Sequence, residues 1–487
     1  MDPGLPHPCP LTSYWLERNP LKVHRTTPDL PSSADVVIIG SGIAGAAAAY
    51  HLLAQAQQVE VPLQLVLLEA REACSGATGR NGGHIIPIHS RYFNDRVAAA
   101  GLETTVQTTQ FEHQTMLQIL DFIKRYQVDC ELRPNGCVLS CKDTKEWSTI
   151  QADLRAMRDA NVDLPTEVWD AQECRQHLKS MDFVGAIKIP GCQLWPAKLV
   201  WAILEVALRQ GLNLQTYTPV TQVIRPPVSN SQDPKAAKDW AVRTPRGVIR
   251  ARHVIHCTNA WAGHLLPQLA PYLRPVRAQV IASARFRTPL LWPFGISFNH
   301  GFDYTMQRPD RMVIFGGMRY ATPNMEVGVA DDSTVNQQLV RAHRLALNQL
   351  ARTHIATPDV TTAPTTTTNP KSTQVNVENA WTGIMAFSHD ALPWVGPLDG
   401  LDASLRDQYA CVAFNGDGMP RAFRCAEIVA RMVINRVSGR LLLPTDDLVP
   451  AFLPSARRGV DPSQWDILAD DHRFLCQIGI PPPTSHL

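Results

Sequence analysis

The 487-residue chain has no apolar run long enough to cross a bilayer, no basic cluster and no C-x-x-C pair. A membrane helix needs about 18 or more consecutive apolar residues, so no spanning segment is expected. Lys and Arg total 46 against 44 for Asp and Glu, a net charge of +2. So even a balance leaves no electrostatic footprint for nucleic acid. Charged residues make up only 18% and hydrophobic residues 45%, which excludes a disordered chain and leaves ample length for a full core.

The eleven cysteines (9, 74, 130, 137, 141, 174, 192, 257, 411, 425 and 476) are scattered. They read as reduced core residues of an intracellular protein, and no Cys/His pair of zinc-ligand spacing stands beside a second such pair. The start, MDPGLPHPCPLTSYW, lacks the basic and apolar regions of a secretory signal. A soluble, intracellular protein is expected. Residues 1–33 hold seven prolines and no periodicity, and read as an extended arm leading into the fold.

From Ala34 the pattern changes. Asp35-Val-Val-Ile-Ile is an apolar, β-branched strand, Gly40-Ser-Gly-Ile-Ala-Gly45 is a turn, and Ala46 to Ala54 is a run of helix formers. Leu65-Val-Leu-Leu is a second strand, closed by Glu69. In this β-α-β setting the Gly40, Gly42, Gly45 spacing is a dinucleotide fingerprint. Gly40 allows the tight turn, Gly42 the approach of a pyrophosphate, and Gly45 the packing of helix on strand. Amides at the helix start attract the phosphates, and Glu69 would accept from ribose hydroxyls. The interval from Gly45 to Glu69 is 24 residues, longer than the usual ~20, and Gln55 to Pro62 is expected to form the extra loop.

A second glycine-rich segment follows, running from Ala70 through Ser75-Gly-Ala-Thr-Gly-Arg-Asn-Gly-Gly-His84. Its small residues let backbone amides wrap a further stretch of anion, with Arg80 to neutralise it. That suits a long cofactor lying extended, such as FAD. Downstream, amphipathic helices are expected at Thr105 to Tyr126 and Trp147 to Asn161, with a strand at His253-Val-Ile-His-Cys. Alternating strands between Arg277 and Tyr320 suggest an antiparallel sheet. A helix near Arg341 to Thr353 precedes the low-complexity connector TTAPTTTTNP.

Four blocks in order carry a resemblance. They are VVIIGSGIAGAAAAYHL with LLEA, then SGATGRNGGH, then HVIHCTNAWA, and finally WTGIMAFSHDALPWVG with CVAFNGDGMPRAF. Together they resemble the D-amino-acid oxidase-like superfamily of FAD-dependent oxidoreductases. The chain is most similar to its glycine oxidase, sarcosine oxidase and γ-glutamylputrescine oxidase branch, in a form common in fungi. The resemblance implies an α/β fold with a doubly wound, Rossmann-like FAD-binding domain assembled from residues 34–90, 195–260 and 381–440. A discontinuous α+β substrate domain on a mixed or antiparallel sheet would use 91–194 and 261–380. The arm 1–33 and a tail 441–487 flank them.

On matching positions, FAD would contact Gly40, Ser41, Gly42, Ile43, Ala44, Gly45, Glu69, Ala70, Ala77, Thr78, Arg80, Asn81 and Gly82. It would also contact Val223, Thr258, Asn259, Trp261, Gly396, Asp417, Gly418 and Met419. A helix from Arg421 to about Asn435, capped by Asn415 or Asp417 with Pro420 in its first turn, would direct its positive end at the flavin. Many relatives carry His where Asp417 stands. Cys411 and Cys425 are candidate tethers, but neither matches a tethering position, so non-covalent FAD is expected.

The family oxidises a C–N bond, passing a hydride equivalent to the flavin and then electrons to dioxygen. Met385 stands where glycine oxidase-like sequences carry an Arg for the substrate carboxylate, which favours an amine, polyamine derivative or N-alkyl compound. Arg319 is either a replacement cation or structural. His84 is either the base for the amine proton or structural, and Tyr304 and Gln307 match a pocket strand. Trp381 and Trp394 read as packing. The alternatives are a flavin dehydrogenase, a monooxygenase imitated by Gly416-Asp417, or a non-catalytic flavin-binding protein. The final Ser485-His486-Leu487 resembles a peroxisomal signal, with the cytoplasm as the alternative. The expected partners are thus a small amine and dioxygen, with no nucleic acid and no membrane.

Overall fold

The computed structural model describes residues 2–87, 92–178, 182–226, 239–286, 292–354 and 375–454. The connector at 361–370 and the terminal tripeptide lie outside the described residues. The first sheet is built on parallel pairing of Ser33–Ile39 with Leu65–Leu68 on one side and with Gly247–His256 on the other. Asn213–Gln215 extends it beyond Leu65–Leu68, and Gln408–Val412 extends it beyond Gly247–His256. An antiparallel strand, Trp394–Pro397, completes that edge.

Alternation along the first strand divides the core. Val36 and Ile38 face the helices, while Val37 and Ile39 face a ribbon made by Gln222–Ile224, Trp240–Thr244 and the following strand. The helix Ile43–Gln58 starts directly after Gly42, and its alanines 46 to 49 are fully buried. That small face lets it pack closely on Pro196–Arg209 and Ala422–Ser438. The helix runs through Gln58, so the extra length before Glu69 is mostly helix and not the loop expected from Gln55. Gln55 itself is buried.

A second, mixed sheet of eight strands runs from Val377–Ser388 through Leu273–Ser283, Val313–Gly316, Asp303–Gln307 and Gly295–Phe298 to Cys137–Cys141, Gly185–Ile189 and Glu167–Asp170. All its pairings are antiparallel except Gly295–Phe298 with Cys137–Cys141. The strand Val377–Ser388 therefore belongs to this sheet, and a division at 381 would cut through it. The expected helices are present as Leu102–Tyr126, Thr144–Asp159 and Gln337–His354.

The N-terminal arm does more than lead in. Ser13 caps the single turn Tyr14–Leu16 by accepting from Trp15 N–H at 3.2 Å. Trp15 is fully buried and donates its indole N–H to Asn81 O at 2.6 Å, while Trp195 donates to Trp15 O at 2.7 Å. Arg308 lies over Tyr14, Trp15 and Trp195 at 4.6 to 5.3 Å from their ring centres.

Asp332 is the point where arm, glycine-rich segment and second sheet meet. Arg71 Nη1 lies 2.9 Å from both its carboxylate oxygens, and Arg80 Nε lies 3.5 Å away. The Arg80 guanidinium also donates to Ser75 O, Thr382 O and Leu11 O at 2.7, 3.0 and 2.9 Å. Leu11 N–H in turn donates to Asp332 O at 2.9 Å. All three charged side chains are essentially buried. Replacing Asp332 by Ala would leave two enclosed guanidiniums without a counter-charge, and a loss of about 3–5 kcal/mol in denaturant unfolding is expected.

Five histidines, 51, 84, 253, 256 and 343, are pushed by burial from 6.5 down to about 4. Each stays neutral in the native state, whereas the unfolded chain takes up a proton near 6.5. Their stabilising contribution is therefore complete above pH 6.5 and is lost as pH falls toward 4. Each histidine adds a slope of about 1.4 kcal/mol per pH unit inside that window. Melting temperatures measured from pH 7.5 to 4.5 should fall steeply below about pH 6.

Candidate active site

One cavity of about 610 Å³ runs from the ends of the first two parallel strands to the second sheet. Gly40 begins it, with φ +101°, and a Cβ there would sit 2.7 Å from Cys257 O. Gly45 does not border the cavity; a Cβ on it would lie 1.8 Å from Gly40 O, so its part is close packing of helix on turn. The first helical bond runs from Ala46 N–H to Gly42 O at 2.9 Å. Helix geometry therefore leaves the amides of Gly42, Ala44 and Gly45 without intrahelical acceptors. Ile43 N–H instead meets Thr78 Oγ1 at 3.2 Å, which fixes the glycine-rich segment against the helix start.

Glu69 ends its strand facing the same space. Its Oε2 accepts from Ser41 N–H and Ser41 Oγ at 2.9 and 2.6 Å, and its Oε1 accepts from Arg71 N–H at 3.0 Å. The carboxylate thereby borders the same cavity as Ala70, Val220 and His264. Two further bordering residues, Thr258 and Trp261, carry a buried hydroxyl and indole N–H with no hydrogen-bond partner among the described residues. An anion-attracting helix start, a fixed carboxylate and orphaned donors along a long cavity fit an extended dinucleotide such as FAD.

Ser41, Ala77, Asn81, Gly82 and Asn259 border the cavity. Arg80 borders it as well, but its guanidinium is committed to three carbonyls and Asp332 and does not serve as a phosphate counter-ion. Burial lowers its pKa to about 10. Val223 and Gly396 lie elsewhere. Val223 pairs with Val242 in the ribbon, and Val220, three residues earlier, borders the cavity instead. Gly396 sits in the edge strand against Leu453. Cys411 and Cys425 are buried and do not border the cavity.

The other end is closed by the turn Asn415–Pro420 and the second sheet. Asn415 and Gly416 have φ of +55° and +86°. Asn415 accepts from Ser388 N–H and donates to Ala413 O, both at 2.8 Å, so it braces the turn and does not cap a helix. The helix begins later than expected, at Ala422, with no side-chain cap; Pro420 precedes it. Arg421 turns back onto Glu112 at 2.8 and 2.6 Å. Asp417, Gly418 and Met419 all border the cavity.

Around them lies a chamber walled by Ile86, Tyr92, Leu139, Phe302, Tyr304 and Phe387, with Met385 beside Gly416. Tyr304 contacts His84 edge-on at 5.8 Å, and burial raises its phenol to about 12. The His84 Nε2 is enclosed, and a Cβ on Gly295 would lie 2.6 Å from it. That nitrogen faces the sheet at Gly295, while the ring as a whole is half-buried and borders the cavity. Gln307 is three positions beyond Tyr304 on one strand, hence on the opposite face, and it does not border the cavity.

Arg319 borders the chamber, lies over the Phe387 ring at 5.6 Å and donates to Met325 O at 3.0 Å. A second cation was not anticipated from the sequence. Arg96, on the helix Phe93–Ala100, borders the cavity 4.0 Å from Glu112. Only its position opposite Asp417 reveals it, since nothing in its local sequence marks it out.

Burial raises Asp417 to about 6, opposed by Arg421, reinforced by Glu112 and opposed again by Arg96. A raised carboxylate costs stability once ionised, so the cost is complete above pH 6 and vanishes below the ordinary 3.8. Asp417→Asn should raise the melting temperature at pH 7–8, a gain of about 1–3 kcal/mol. That gain should disappear near pH 4, a comparison thermal unfolding at the two pH values makes directly.

The E. coli K12 protein named gamma-glutamylputrescine oxidoreductase is 26% identical over 416 residues, covering 84% of each chain. Among solved structures, glycine oxidase from Geobacillus kaustophilus superposes with a TM-score of 0.65 at 17% identity, covering 87% of this chain and 99% of that one. The L-proline dehydrogenase from P. horikoshii gives 0.64 at 18% identity, covering 88% and 99%. The sequence pattern described as FAD dependent oxidoreductase matches residues 35–432. With its fingerprint turn, fixed Glu69 and closing turn on one cavity, the chain belongs to the DAO family of FAD-dependent oxidoreductases.

Proposed function

We propose that the protein oxidises the C–N bond of an amine, a polyamine derivative or an N-alkyl compound, with dioxygen as the final electron acceptor and hydrogen peroxide as product. The observation that carries this reading is the chamber floor, where the thioether of Met385 borders the cavity beside the closing turn. A thioether offers no charge to a carboxylate, so a small α-amino acid gains nothing there. Aromatic and aliphatic walls suit a methylene chain. The relative named for γ-glutamylputrescine, a substituted polyamine by its name, supports this class.

Bound FAD supplies the acceptor for a hydride from the carbon beside the amine nitrogen. The chain's own part is to orient that carbon and to exclude water. Tyr304 remains a phenol at neutral pH and can hold a substrate nitrogen or oxygen by hydrogen bond. His84, half-buried on the cavity wall, stays neutral and supports the Tyr304 ring from its edge. Arg96 and Asp417, both partly open to the cavity, supply charge of each sign.

A second reading, electron transfer to a carrier other than dioxygen, has support from the fold shared with L-proline dehydrogenase.

The test is flavin absorbance of the purified protein under anaerobic conditions. Primary, secondary and acylated polyamines would be added in turn, with glycine and proline for comparison. Bleaching by a polyamine, followed by recovery of the yellow form with peroxide on admitting air, is the expected result. Bleaching by glycine or proline alone would overturn the substrate class, and a reduced flavin that persists in air would favour the dehydrogenase.

A further inference from the structure

We propose that residues 2–7 form a wall of the cofactor site, a strap over the adenosine half of FAD that must lift before the dinucleotide can leave. Gly4, Leu5 and Pro6 border the same cavity as Glu69 and Ala70. His264 and Leu265 border it too, and the Asp2 carboxylate lies 3.0 and 3.2 Å from His264 Nδ1. Pro3 packs on the same turn, where a Cβ added at Gly263 would lie 3.6 Å from Pro3 Cδ. Behind the strap, Arg71 Nη1 donates to His7 O at 3.2 Å, which ties it to the Asp332 cluster.

The chemistry of this corner matches an adenine and its ribose. Leu5, Pro6, Leu265 and Val220 offer apolar surface for a purine, and the Glu69 carboxylate stands beside them for ribose hydroxyls. Leu5 borders this cavity and is 41% exposed, so it is not packed into the core. Prolines 3, 6, 8 and 10 restrict φ along the segment, so little conformational entropy is lost when it closes. The Asp2–His264 pair is largely exposed and contributes little by itself. Retention therefore rests on the apolar contact and on the path of the chain. In the expected orientation the isoalloxazine lies at the far end, beside Gly416 to Met419, beyond the reach of residues 2–7.

The inference rests on the FAD assignment, and the test separates the two. Apo-protein would be titrated with FAD and with FMN, which lacks the adenosine, and release would be followed by flavin fluorescence. Two variants are compared with the full chain: a deletion of residues 2–7 that keeps the Ser13–Trp15 anchor, and Leu5→Gly. The deletion should weaken FAD and speed its release by about tenfold or more, and Leu5→Gly should act in the same direction by less. FMN binding should not change in either variant, and Leu5→Gly, which leaves the His7 carbonyl on Arg71 in place, should not change the apo melting temperature. Equal weakening of FAD and FMN, or unchanged FAD release in both variants, would overturn the strap. If the deletion does not fold, Leu5→Gly decides by the same comparison. A full chain that binds no FAD would overturn the cofactor assignment and the strap together.

Discussion

The structure depends on a buried carboxylate shared by two guanidiniums. Asp332 satisfies Arg71 and Arg80 where no water can, and those arginines in turn hold carbonyls of the arm, the glycine-rich segment and the second sheet. Enclosed charges tolerate few alternative geometries, because each lost partner leaves a desolvated ion. The cluster therefore fixes the segment from Arg71 to Asn81. That segment then sets Thr78 against the helix start, and its Asn81 carbonyl receives the Trp15 indole. The cofactor cavity inherits its shape from an interaction that lies beneath it.

Most of what the cavity offers a dinucleotide comes from backbone. The orphan amides after Gly40, the fixed Glu69 carboxylate and the left-handed turn at Asn415–Gly416 need particular conformations more than particular side chains. The opposite end is different. There Arg421 and Glu112 close on each other, and Asp417 and Arg96 remain partly open. Burial and Glu112 together outweigh the two arginines and raise Asp417 to about 6. At that end of the cavity the chain places a carboxyl that burial holds above the ordinary carboxylate range.

Long-range contacts and strand parity leave no local mark. Gln307 and Tyr304 share a strand motif, but three positions along a strand reverse the side chain's face. Arg80 stands in a glycine-rich segment that suits a phosphate, whereas buried Asp332, 252 residues further on, claims its guanidinium. Val223 missed the cavity by three residues, since nothing local marks where a loop becomes a strand. Arg96, Leu5 and His264 gave no signal at all.

The sequence by itself determined the dinucleotide fold. Apolar β-branched runs, glycines at fixed spacing and an acidic strand end are local requirements, each legible from neighbouring residues. It also determined the expected helices and the run of strands between Arg277 and Tyr320, because periodicity is a local property. Only the tertiary structure decided which charged groups meet, that the proline-rich arm becomes a wall of the site, and which face of a pocket strand looks inward. Those outcomes depend on contacts between residues hundreds of positions apart, where desolvation and strand parity act and where no local pattern is written.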